Sequence, residues 1–262
     1  MICIISKKND LISYGLYKAF KTLSKNVEII YNEVELKKLK NIKIYVINNY
    51  DFIEDIDISN ESKYLLINEN CIFENRLNIN KCKYYIIKEY SKQINLSDYK
   101  KINEYIYTNN NIIIFPFCSI FTKNEILWNY KKKFIKNKNI KNNILTFDNI
   151  NIDHKKKLKN IKYQKINLNS IENIITHSKN NQIFLSTYDH NKFDYKSISF
   201  MAMGNFSITN SELNKNIFNI LEYDINYNLD LHKIIQNIQL IYNDFTLEKY
   251  IKIINNYFLL LV

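Results

Sequence analysis

The chain has 262 residues, a formal net charge of +11 and only two glycines, Gly15 and Gly204, where average usage supplies about 18. An apolar fraction of 46% and a charged fraction of 24% exclude wholesale disorder, and the length suffices for two domains with real cores. The scarcity of glycine weighs against the glycine-rich strand-to-helix loops on which α/β proteins usually hold phosphates and dinucleotides.

The first hundred residues alternate between strand and helix patterns. ICIIS (2–6) reads as a short apolar strand, and Asn9 or Asp10 as the N-cap of a helix with Leu11, Leu16, Ala19, Phe20 and Leu23 on one stripe. VEIIY (27–31) is a second strand, EVELKKLK a short helix, and IKIYVI (42–47), YLLI (64–67) and KYYII (83–87) are strands three to five. SDYKKINEYIY (97–107) reads as a helix opened by a Ser/Asp cap. Apolar strands separated by helical patterns imply a parallel sheet covered on both faces, and five β/α units make a small doubly wound domain.

In size and element order, residues 1–107 resemble a response-regulator receiver domain. That family places an acidic pair after its first strand, a phospho-accepting Asp after the third, Ser/Thr after the fourth and Lys after the fifth. The matching positions here hold Ser6 and Lys7, then Asn48 and Asn49, then Asn68; only Lys88 agrees. The resemblance thus implies a receiver-like shell without the carboxylates that hold magnesium and accept a phosphoryl group.

A second β/α series begins near residue 111. NIIIFPF (111–117) is a strong strand running into CSIFTKNEILWNYKKKFIK, whose later part is helical with Ile126, Leu127, Tyr130 and Phe134 on one face. Trp128, the single tryptophan, is assigned to the core. NNILTFDN (142–149) is a strand ending in Asp148, followed by a lysine-rich loop, a helix NSIENIITHSK (169–179) and a strand QIFLS (182–186). Residues 187–210, with the YDHNKFDY loop and Gly204, read as a long connection, and Asp189, His190 and Asp194 as a solvated polar cluster. SELNKNIFNILEY (211–223) is helical with Ser211 as cap. DLHKII is a short helix, IQLIYND (238–244) a strand, and LEKYIKIINNYFLLL (247–261) the closing helix.

A strand followed by a turn and then Lys at the start of a helix is the layout of a nucleotide-binding P-loop. There backbone N–H groups wrap phosphates, Lys neutralises them and the next hydroxyl binds magnesium. Lys123 takes the lysine position and Asn124 the hydroxyl position; Ser119, Ile120 and Phe121 stand where glycines are needed. With FD148 and the late YD224 segment, this order resembles the ParA/MinD-type ATPases. A receiver-like part joined to such a domain is similar to the pilus-assembly proteins TadZ and CpaE. The resemblance implies a Walker B aspartate where Asn228 falls, with Asp224 and Asp230 nearby, and a homodimer.

The fold expected is therefore α/β, two doubly wound mainly parallel-sheet domains: receiver-like over 1–108 and a degenerate ParA/MinD-like P-loop domain over 109–262. The function expected is a non-catalytic positioning or assembly factor, a pseudo-ATPase without cofactor or metal, acting on protein partners of a membrane-associated secretion or pilus machinery. Its candidate site residues are Lys123, Asn124 and Asp148 for a degenerate nucleotide site and Asn48, Asn68 and Lys88 for the pseudo-receiver. A DNA-binding regulator with a pseudo-receiver N-terminal domain is the alternative, and an active enzyme a third.

Charge and cysteines bound these readings. Lysine dominates, most densely in Lys131-Lys132-Lys133 and Lys155-Lys156-Lys157, with Arg76 the one arginine. Base readout and bidentate phosphate recognition favour arginine, so the runs read as solvated faces, with weak contact to nucleic acid or acidic lipid as the alternative. Cys3, Cys71, Cys82 and Cys118 form no CxxC pair, and His154, His177, His190 and His232 lack metal spacing. The start MICIISKKND lacks a leader's basic and long apolar regions, and no stretch reaches transmembrane length. A reducing, cytoplasmic location is expected, with a peripheral position at the inner membrane face left open. Isoleucine, lysine, asparagine and tyrosine have AT-rich codons, so an AT-rich genome accounts for part of the glycine shortage, though less well for glycines missing from a loop that needs them.

Overall fold

Strands that are apolar at every position suit a sheet covered on both faces. β1 (Ile2–Ile5) and β3 (Ile44–Ile47) are of this kind and are buried along their whole length. The computed structural model describes residues 1–24, 26–48, 62–67, 83–136, 144–146, 163–165, 176–177, 183–187, 189–221 and 230–258, with backbone alone at 132–136, 144–145 and 163–165. They fall into two compact units, Met1–Pro116 with Tyr250–Val262, and Phe117–Lys249.

The first unit is built on an eight-stranded sheet. Its other strands are β2 (Val27–Ile30), β4 (Lys63–Ile67), β5 (Lys83–Glu89), β6 (Lys100–Asn103), β7 (Ile106–Asn109) and β8 (Ile112–Phe115), and the order is β2-β1-β3-β4-β5-β8-β7-β6. The first five strands are parallel in the 2-1-3-4-5 order of flavodoxin-like sheets. Helix α1 (Leu11–Leu23) opens on Asp10, whose Oδ1 accepts the Ser13 N–H at 2.7 Å, and buries Leu11, Leu16, Ala19 and Phe20. A short helix α2 (Glu33–Leu36) is capped by Asn32. Tyr45 and Tyr64 stack at 5.1 Å between adjacent strands.

Two sequence expectations change in this unit. Residues 97–107 do not form a helix: β6 and β7 pair antiparallel and β7 continues into β8. The alternation in Ile106-Tyr107-Thr108-Asn109, with Ile106 and Thr108 buried, is a period of two that the cap-like Ser97-Asp98 had obscured. The turn into β8 passes through Asn110 at φ 48, a left-handed position that asparagine tolerates. Finally, β8 does not open a new sheet. It lies between β5, to which it is parallel, and β7, and the continuous part of the first unit runs to Pro116.

The second unit carries four parallel strands, β9 (Ile144–Thr146), β10 (Tyr163–Lys165), β11 (Ile183–Ser186) and β12 (Phe206–Thr209), in the order β10-β9-β11-β12. Helix α3 (Lys123–Lys136) precedes them, α4 (Tyr195–Ala202) lies between β11 and β12, and α5 (Glu212–Ile217) and α6 (Leu231–Asp244) follow; α7 (Leu247–Phe258) begins in this unit and passes into the first at Tyr250. Within the stretch expected to be a long connection, Tyr195–Ala202 is helical and Phe206–Thr209 is a strand. Phe200 of α4 stacks on Phe184 of β11 at 4.2 Å. The helix ends in a Schellman turn, in which Gly204 (φ 78) donates to the Met201 carbonyl and Asn205 to that of Phe200. Residues 238–244 are helical, not a strand. Ile234, Asn237, Ile238 and Ile241 bury one face at helical spacing, and the short run IQLIY is ambiguous when read alone. The cap at Ser211 is as expected, but the helix it opens stops at Ile217.

Candidate functional site at the Lys123 loop

Phe117, Cys118, Ser119, Ile120 and Phe121 are all buried, and Lys123 is the first residue of α3. Burial of apolar side chains at these positions fills the space that glycines would leave open for a phosphate. Thr122 and Glu125 form a capping box. The Glu125 Oε2 accepts the Thr122 N–H at 2.8 Å and its hydroxyl at 3.0 Å, and the Thr122 Oγ1 accepts the Glu125 N–H at 3.3 Å.

Five consecutive N–H groups in this loop are already spent. Ser119 donates to the Phe245 carbonyl at 3.1 Å, Ile120 to Ser199 Oγ at 3.1 Å, and Phe121 to Ser119 Oγ at 3.2 Å. Thr122 donates to Glu125, and Lys123 to Glu248 Oε2 at 3.0 Å. Two carboxylates therefore occupy the positive end of α3, where a phosphate would sit. An incoming phosphate meets negative charge, and the N–H groups of residues 119–123 are already engaged. The Lys123 ammonium lies over the Tyr242 ring, 5.0 Å from its centroid, a cation–π contact. Asn124, at the magnesium-hydroxyl position, is exposed. Asp148, Asp224 and Asn228 lie outside the described residues. The strand before this loop, β8, belongs to the eight-stranded sheet and not to the sheet of β9–β12.

The pseudo-receiver positions sit at the carboxyl ends of the first unit's strands, the edge at which open α/β sheets place ligands. Asn48 follows β3; its Nδ2 donates to Asp10 Oδ1 at 2.9 Å and to Ser13 Oγ at 2.8 Å. The amide thus ties the strand end to the start of α1. Ser6 is buried with its hydroxyl donating to the Lys7 carbonyl, and Lys7 is exposed. Lys88 lies half-buried on β5, two strands from β3 and hence about 10 Å across the sheet. Asn49 and Asn68 lie outside the described residues.

The polar cluster expected to be solvated divides. Asp189 and His190 are exposed, whereas Asp194 is fully buried as the N-cap of α4. Its Oδ1 accepts the Ser197 N–H, and its Oδ2 accepts the hydroxyls of Ser197 at 2.7 Å and Thr209 at 2.8 Å. Asn214 closes the network from α5, accepting the Asp194 N–H and donating to its carbonyl. A buried carboxylate satisfied three times over is a structural cap, not an open ligand site. Trp128 also departs from expectation: it is 56% exposed, beside Leu127 at 42%, because Ile126 and Asn129 face inward instead.

Other chemistry is bounded as well. Burial pushes the Cys118 thiol well above its ordinary range, opposing thiolate formation. Among the described residues no group of His, Cys, Asp and Glu is arranged to hold a metal, and no helix is long and apolar enough to cross a membrane. Sequence reasoning missed Ser199, Tyr242 and Glu248, which close the loop from far along the chain. It also passed over Thr122-x-x-Glu125, a legible capping-box signature. Comparison of the chain with family models, curated proteins and solved structures gives no match.

Proposed function

We propose that the chain is a non-catalytic binding protein whose phosphate loop is closed by its own side chains, leaving interaction surfaces as its activity. One observation carries this reading: the N–H groups of residues 119–123 are all engaged, two of them by carboxylates. In its specific form the reading is a positioning or assembly factor similar to TadZ and CpaE. Such a factor would be homodimeric, cytoplasmic and peripheral at the membrane face, with partners in a secretion or pilus machinery. The 2-1-3-4-5 order of the first five strands supports the receiver-like part of that likeness. Titration calorimetry with ATP and magnesium tests the closed loop. No heat of binding is expected at millimolar nucleotide, and micromolar affinity abolished by Lys123→Ala would overturn the reading.

A second reading, a DNA-binding regulator with a pseudo-receiver part, gains from one observation. Residues 238–244 are helical, so α6 and α7 are consecutive helices separated by Phe245 and Thr246 alone. Duplex DNA retention that falls steeply with salt would favour it.

A further inference from the structure

Helix α3 turns an unusual stripe outward. Asn124, Leu127, Trp128 and Lys131, spaced i, i+3, i+4 and i+7, are all exposed, while Ile126 and Asn129 face inward. Soluble helices normally turn large apolar residues such as Leu127 and Trp128 inward. No carboxylate lies on the stripe; Glu125 is turned to the capping box. The chain continues through Lys132 and Lys133 and has a net charge of +11.

We propose that this face of α3 docks on an anionic phospholipid surface, with Leu127 and Trp128 entering the headgroup boundary and Lys131 meeting lipid phosphate. Trp is favoured at this boundary because its ring is apolar and its N–H is polar. A helix with a basic flank and an aromatic–aliphatic face lies in the interface rather than crossing it. A lysine near an anionic surface strengthens binding by roughly five- to tenfold. Protein partners fit less well, since an obligate interface depletes lysine at its core. The inference rests on the peripheral placement proposed above for location alone and is independent of nucleotide.

Trp128 is the chain's single tryptophan, so its fluorescence reports on this face without labelling. The full-length protein is titrated with phosphatidylglycerol-containing vesicles and with neutral phosphatidylcholine vesicles. A blue shift of the emission, quenched by bromine-labelled acyl chains and confined to the anionic vesicles, is expected. Lys131→Glu keeps the reporter and should weaken partitioning by about tenfold or more, with circular dichroism confirming that the variant is folded. Absence of any vesicle binding overturns both the inference and the peripheral placement. Co-sedimentation without a Trp128 shift, or a folded Lys131→Glu that binds unchanged, overturns the inference and leaves the placement standing. A shift produced by single-stranded nucleic acid and not by vesicles also overturns it.

Discussion

Replacing Asp194 by alanine removes one side chain that performs two tasks in the second unit. It is the N-cap of α4 and the acceptor for two buried hydroxyls, those of Ser197 and Thr209. Loss of the cap costs about 1 kcal/mol. Each stranded hydroxyl costs about 1–3 kcal/mol, reduced where rotation finds another acceptor. Ser197 Oγ already accepts from Ser207, and its own proton then lacks a partner. The sum is about 3–5 kcal/mol, up to half or more of the roughly 5–15 kcal/mol that holds a domain folded. With a urea slope of about 2 kcal/mol/M, the unfolding midpoint should fall by about 2 M. Asp194→Asn keeps the acceptor for the Ser197 N–H but turns an N–H₂ toward a hydroxyl, so it should lie between wild type and alanine. Far-UV circular dichroism in urea reads all three proteins. A midpoint shift below about 0.5 M for Asp194→Ala would refute the reasoning, since it would mean that the cluster is not a satisfied network. The consequence reaches the candidate site, because α4 also carries Ser199, the acceptor for the Ile120 N–H.

Asn48→Asp replaces a donor to Asp10 and Ser13 by a carboxylate at the 2.9 Å position. It should destabilise by about 1–3 kcal/mol at neutral pH, recover as pH falls and the paired carboxylates protonate, and accept no phosphoryl group from acetyl phosphate by mass spectrometry. Gly204→Ala should cost about 1 kcal/mol in thermal or urea unfolding, and Gly204→Asn less, because the position is left-handed at φ 78. Stability should also decline at alkaline pH. Burial pushes the Cys3 thiol up to about 12 from 9.0, so above pH 9 the native state binds more protons than the unfolded state. The stabilisation is complete below pH 9 and is lost as pH rises toward 12, at no more than about 1.4 kcal/mol per pH unit for this group. Cys3→Ala should be weaker at pH 8 yet flatter between pH 9 and 11 by urea midpoint, and an unchanged slope would count against the cause.

The glycine shortage illustrates how far composition alone can be taken. Among the described residues, left-handed backbone is supplied by Asn9, Asn41 and Asn110 as well as Gly204, so asparagine does part of glycine's conformational work. It cannot do the rest. A phosphate loop needs positions without a side chain, and here Ile120 and Phe121 fill them and are buried. Legible in advance were the Lys123 position at a helix start and the missing glycines around it. The way in which the vacancy was closed was not.

Local chemistry is what the chain announces on its own. Short apolar runs made β1 to β5, a cap at Asp10 made α1, Ser211 capped α5, and all of these depend on residues within a turn or two of each other. Tertiary structure decided the elements whose local signals compete. The stretch around 100–109 joined a sheet because β8 offered it an edge, and 238–244 became helical because its buried face matched that period. It also decided burial, drawing Asp194 inward and leaving Trp128 outside. The Lys123 loop belongs wholly to this second class. Its N–H groups are met by Ser199, 79 residues beyond Ile120, and by Glu248, 125 residues beyond Lys123. Pairings at such separations follow from packing, which no window of the sequence contains.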